Sequence, residues 1–180
     1  MTERGQELSA TAEGQIAELI DLLSTLDQAA LRRPCLGREK LGDGTIGAAA
    51  RHTADNYERI ADFVRISERM SAGHGGQRIP RFLRNLGHGP QDHTNRDHAA
   101  AQHDDGYTAE NIDVDAVVSQ LNASREALGR IAELNDSQLA AIPPKDSFRF
   151  CDGRRTLEQV LAGLLGHQAH QLDALKTAAG

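Results

Sequence analysis

Residues 156–178 read TLEQVLAGLLGHQAHQLDALKTA, from Thr156 to Ala178, and this stretch decides the fold. Leu157, Val160, Leu161, Leu164, Leu172 and Leu175 recur at helical spacing, so it predicts an amphipathic helix whose apolar stripe faces a core. Two imidazoles, His167 and His170, interrupt the stripe. Groups three residues apart stand nearly one above the other on a helix and can grip one ion. Imidazole is the commonest nitrogen ligand for zinc and its neighbours. A pair alone does not make a site; a further donor must come from elsewhere in the chain.

Working outward, 180 residues suit a single domain over 1–180 with a substantial core. Trp is absent and aromatic residues make up 3% of the chain, so Leu, Ile, Val and Ala must fill that core, as in packed helices. A net charge of −6 argues against a general nucleic-acid surface. The opening MTERGQELSATAEG has neither a basic start nor an apolar run, and no segment has the apolar length of a membrane span. The expectation is a cytoplasmic protein with no membrane or nucleic-acid partner. Cys35 and Cys151 have no CxxC spacing and are expected to stay reduced.

Upstream, Ile16, Leu19, Ile20, Leu23 and Leu26 define a first helix from about Glu7 to Leu26. LRRPCLGREKLGDG is a loop, and Arg32, Arg33, Arg38 and Lys40 make it the most basic patch, either a solvated connection or an anion-binding rim. A second helix starts after Thr45 as N-cap and runs to about Met70, with Ile46, Ala49, Ala50, Ile60, Phe63 and Val64 inward. His52 falls on that inner face, beside alanines that leave room for a ligand. A third helix, capped by Asp113, spans about Val114 to Leu134, and a short helical turn follows at Asp136 to Ala141. Pro143 and Pro144 stop the pattern; FRFCDGRRT reads as a brief extended segment closed by an Asp-Gly turn before Thr156 caps the last helix.

Between the second and third helices, residues 71–111 break the pattern with glycines, prolines and five histidines, His74, His88, His93, His98 and His103. The last four are spaced by five residues, which makes no common helical face. They read as loop histidines, one of which could approach the main site as a lid ligand or proton carrier. The sum is an all-α fold: a four-helix bundle with a long crossover from helix two to helix three. Facing helices of such a bundle are where metal sites are commonly built.

Two segments, TIGAAARHTADNYERIADF and LLGHQAHQLDAL, resemble the helix-two and final-helix patterns of the DinB/YfiT-like superfamily of metal-dependent four-helix-bundle proteins. That resemblance implies a divalent metal held by three side chains, with His52 and His167 as two of them. Many relatives place the third ligand four residues after the first, where this chain has Gln171. His170 is the expected third ligand, because imidazole binds such metals better than an amide. Asp55 and Asp173, one turn from the presumed ligands, are candidate acceptors that orient them.

Three neutral nitrogens around an ion leave a coordination position open, the layout of a catalytic site. The resemblance implies a thiol S-transferase, in which zinc, or else nickel, iron or manganese, activates a low-molecular-weight thiol such as mycothiol, bacillithiol or glutathione for attack on an electrophilic substrate. Two alternatives stand beside it: a metal-dependent hydrolase, and a non-catalytic ligand-binding or stress-response bundle that forms a homodimer. Cys151, close in sequence to Arg149, Arg154 and Arg155, has the basic neighbours that lower a thiol pKa but no nearby histidine.

Overall fold

The computed structural model describes residues 2–71 and 107–180, and among them the fold is all-α, with no strand. In order come α1 (Glu3–Thr25), a single turn α2 (Gln28–Leu31), α3 (Ile46–Ser71), α4 (Val114–Gly129), the short α5 (Asp136–Ala140) and α6 (Leu157–Ala179). A 3₁₀ turn, Ala109–Asn111, precedes α4, and another, Arg130–Glu133, tightens its end. Residues 72–106, with His74, His88, His93, His98 and His103, lie outside the described residues.

The helix starts are chemically marked. Thr2, Asp113 and Thr156 each turn a side-chain oxygen onto a free backbone N–H of the first turn, and Thr156 with Gln159 closes a reciprocal capping box. Thr45 caps α3 through Ala48 N–H at 3.2 Å. α1 and α3 each pack against both α4 and α6, so the four longer helices enclose one core. Ile16, Leu19, Leu121, Leu128, Val160 and Leu161 are among the side chains wholly or almost wholly removed from water there. Tyr57 is also fully buried; its hydroxyl donates to Gln15 Oε1 at 3.0 Å, and Gln15 Nε2 reaches the Leu165 carbonyl at 3.2 Å. That chain of bonds links α1, α3 and α6.

Two connections have their own local order, and the second differs from its sequence reading. The basic loop is anchored: Cys35 N–H bonds to Gly44 O, Ile46 N–H to Arg33 O, and an isolated bridge joins Pro34 to Thr45. The segment 148–156 is not extended. It turns back on itself, with Asp146 (φ 60) and Phe150 (φ 67) in the left-handed region and Asp146 N–H bonded to Cys151 O at 2.8 Å. Alternation of apolar and polar residues suggested a strand, but no partner strand is present among the described residues and Phe148 finds its apolar contact by stacking on Phe63, centroids 4.8 Å apart. No helix among the described residues is long and apolar enough to cross a membrane.

Candidate functional site

His52 on α3 and His167 on α6, distant in the chain, lie on two helices that pack together, near enough for the charge of one to act on the other. His52 is buried, and Tyr107, the first described residue after the gap, meets its ring edge-on at 6.4 Å. Tyr107 donates its hydroxyl to Asp55, which also accepts from Gln120 Nε2 at 2.8 Å and pairs with Arg51 at 3.2 Å. Asp55 thus fastens Tyr107 and α4 to α3. Gly42 completes this wall: at φ 52 its backbone passes against the Tyr107 carbonyl, where any side chain would collide.

His167 is half-buried, and its Nε2 has two neighbours, Arg149 Nη1 and Gln171 Nε2, each at 3.2 Å. A guanidinium offers only donors and keeps its charge at any working pH. Its contact therefore assigns Nε2 as the lone-pair acceptor and places the ring proton on Nδ1. Gln171 turns its amide N–H to the same lone pair, which leaves Gln171 Oε1 buried without a hydrogen-bond partner. Burial pushes the His167 pKa down to about 4, and the positive charges of Arg149 and Arg38, with His52 and His170, act the same way. The imidazole is neutral at physiological pH.

Arg149 owes its position to the turn that carries it. Its guanidinium carbon lies 5.3 Å from the Phe150 ring centroid, and that ring rests on the α6 backbone at Gly163. Burial of the charged end draws Arg149 below the ordinary guanidinium value, although the residue as a whole keeps contact with solvent. Arg38 approaches from the basic loop: Nη2 reaches the His170 carbonyl at 3.3 Å and Nη1 the Gly37 carbonyl at 2.9 Å, while Nε is buried with no partner.

Of the other basic-loop residues, Arg33 closes the end of α6 through the Ala178 and Ala179 carbonyls at 2.7 and 2.6 Å, and Arg32 and Lys40 are exposed. His170 is exposed too, as is Asp173. Helix geometry accounts for Gln171 lying inward while His170 lies in water. From His167, position 171 is rotated by about 40° towards the buried leucines, whereas position 170 is rotated by about 60° the other way. Both cysteines are free and buried, and burial raises both thiols above their ordinary pKa, so neither is an activated nucleophile.

The implied metal can be tested against this arrangement. Among the described residues no three His, Cys, Asp or Glu side chains are grouped to hold an ion. The nitrogen of His167 that an ion would use faces a permanent cation instead. The described donors do not by themselves complete a divalent metal site; around His167 they form an electropositive surrounding with a neutral imidazole at its centre. Sequence reasoning named Gln171 only as the usual third-ligand position and Arg149 only as a neighbour of Cys151, not as partners of His167. The first was legible from its place on the helix, and the second, in a turn 18 residues from His167, carried no periodic signal. No family model, no curated protein and no solved structure matches this chain.

Proposed function

We propose that the chain is a cytoplasmic protein of the DinB/YfiT-like kind, in which α1, α3, α4 and α6 are the four-helix bundle and residues 71–111 the crossover, and that it catalyses S-transfer from a low-molecular-weight thiol. The observation that carries this reading is the packing of α3, with buried His52, against α6, with His167, the two segments on which the resemblance rests. The electropositive surroundings support it further, because guanidinium groups near a thiol favour its thiolate, the attacking form. In the reaction the S–H bond breaks and its proton passes to solvent. A sulfur–carbon bond then forms while the leaving group departs with its electron pair. No step needs a resident metal.

The test is thiol consumption with a generic electrophile in the presence of glutathione, mycothiol or bacillithiol, with metal content measured on the same purified protein. Consumption faster than with free thiol, unchanged by a chelator, is the expected result. One equivalent of zinc, nickel, iron or manganese, lost on replacing His52, would return the reading to the metal-dependent transferase. Hydrolysed electrophile without thiol adduct would identify the hydrolase, and neither product would leave a ligand-binding bundle.

A further inference from the structure

We infer that residues 142–155 form a hinged lid across the seam between α3 and α6, and that its opening uncovers the lone pair of His167 Nε2. The segment is closed at its base by the bond from Leu157 N–H to the Ala141 carbonyl at 2.7 Å. Above that base its backbone bonds are its own. Asp146 N–H donates to Cys151 O at 2.8 Å, Ser147 N–H to Pro144 O at 3.1 Å and Cys151 N–H to Phe148 O at 3.1 Å. Among the described residues, no backbone–backbone bond runs from 142–155 to α3 or α6. Side chains make the contact with the bundle instead. Phe148 stacks on Phe63 of α3, Arg149 Nη1 lies 3.2 Å from His167 Nε2 on α6, and the Phe150 ring rests on α6 at Gly163. A segment bonded internally and held to its neighbours by a few side chains opens as one unit, at less cost than global unfolding.

Two features bias this unit towards movement. Of residues 142–155 only Cys151 is buried, so closure removes little of the segment from water. Phe150 is held at φ 67, a region that bulky side chains rarely enter, and folds retain such strain chiefly at active sites, ligand clamps and switches. Position supplies the consequence. Phe148 and Arg149 are adjacent in the chain but grip different helices, so the closed lid spans the seam. Arg149 covers the atom through which His167 accepts a proton or a hydrogen bond, and only the side-chain amide of Gln171 shares that task. Opening is read with no thiol cofactor present, so failure of the lid and failure of the proposed S-transfer are separate outcomes.

The experiment follows two reagents on the full-length protein by mass spectrometry: iodoacetamide on the thiols and diethyl pyrocarbonate on the imidazoles. Cys151 reports on the lid, and Cys35, free and fully buried behind the pinned basic loop, reports on global unfolding. Cys151 should label about ten times faster than Cys35 or more, with little dependence on low urea, whereas Cys35 labelling rises steeply with urea. Tyr57→Phe weakens the bundle but leaves the lid alone, so it should speed Cys35 about fivefold and leave Cys151 unchanged. Phe148→Ala removes the stack on Phe63 and should raise Cys151 labelling and His167 modification together, each about tenfold, with exposed His170 unchanged. Should that variant fail to fold, Phe148→Leu keeps an apolar contact without the stack, and a rise of about threefold is expected. Equal rates and equal urea dependence at the two cysteines, or equal acceleration of both by Tyr57→Phe, overturn the lid. Faster Cys151 labelling without faster His167 modification overturns its role as the cover of that imidazole.

Discussion

Acidification should destabilise this protein through one side chain, His167. Its pKa in the folded chain is about 4 against 6.5 for the free imidazole, so the unfolded chain takes up the proton first as pH falls. The stability contributed by the neutral ring is whole above about pH 6.5 and is lost as pH drops through the window down to about 4. Taken without screening, the difference amounts to about 3.4 kcal/mol at roughly 1.36 kcal/mol per pH unit. The ring is only half-buried, so solvent screening brings this to about 1.5 kcal/mol, of which about 1 kcal/mol is gone by about pH 5. The matching substitution is His167→Gln, which has no titrating group and can still accept from Arg149 and Gln171. Urea unfolding of both proteins at about pH 7.5 and about pH 5 should show the wild type losing about 1 kcal/mol more than the variant. Glu39, Asp43 and Asp152, whose carboxyls are held below the usual range, lose their contributions at lower pH in both proteins and cancel in the comparison. Equal losses in the two proteins would refute the reasoning.

Other parts of the account are open to single substitutions. Gly42→Ala forces a methyl group into the Tyr107 carbonyl at a positive φ and should lower stability by about 2 kcal/mol or more, read as a fall in the thermal midpoint. Because Tyr107 packs on His52, the His52 ring signals in that variant should move while those of residues around Tyr57 stay in place. Tyr57→Phe removes the hydroxyl that bonds to Gln15 and should cost about 1 kcal/mol in urea unfolding, with the fold unchanged. Thr156→Ala opens the capping box of α6 and should cost about 1 kcal/mol, and Thr156→Ser should restore most of it.

What the sequence disclosed was the part of the molecule governed by periodicity. The leucines of 157–175 gave α6 to within a residue or two, and Thr45, Asp113 and Thr156 marked three helix starts because capping is a local bond between neighbours in the chain. The inward turn of His52 was legible from the same spacing that buries Ala49 and Ala50. His170 and Gln171 differ in placement for a reason that ligand strength does not carry. Ligand strength favoured the imidazole, while the position of each residue relative to the buried stripe put the amide inside and the imidazole in water. Arg149 was out of reach of such reading. Its contact with His167 depends on a turn with left-handed residues at Asp146 and Phe150, and a phenylalanine does not announce that conformation as a glycine would. The basic loop divided in a similar way: Arg33 closes a helix end and Arg38 lies at the site, a distinction set by how Cys35 and Ile46 pin the loop to α3.

One nitrogen, His167 Nε2, is held as an unprotonated acceptor by Arg149 and Gln171. Nitrogen-15 nuclear magnetic resonance of the histidine rings at neutral pH reads that state directly, before and after one equivalent of zinc. The expected spectrum places the proton of His167 on Nδ1, leaves Nε2 unprotonated, and does not change when zinc is added. A proton on Nε2, or a joint shift of His52 and His167 on adding zinc, would contradict it.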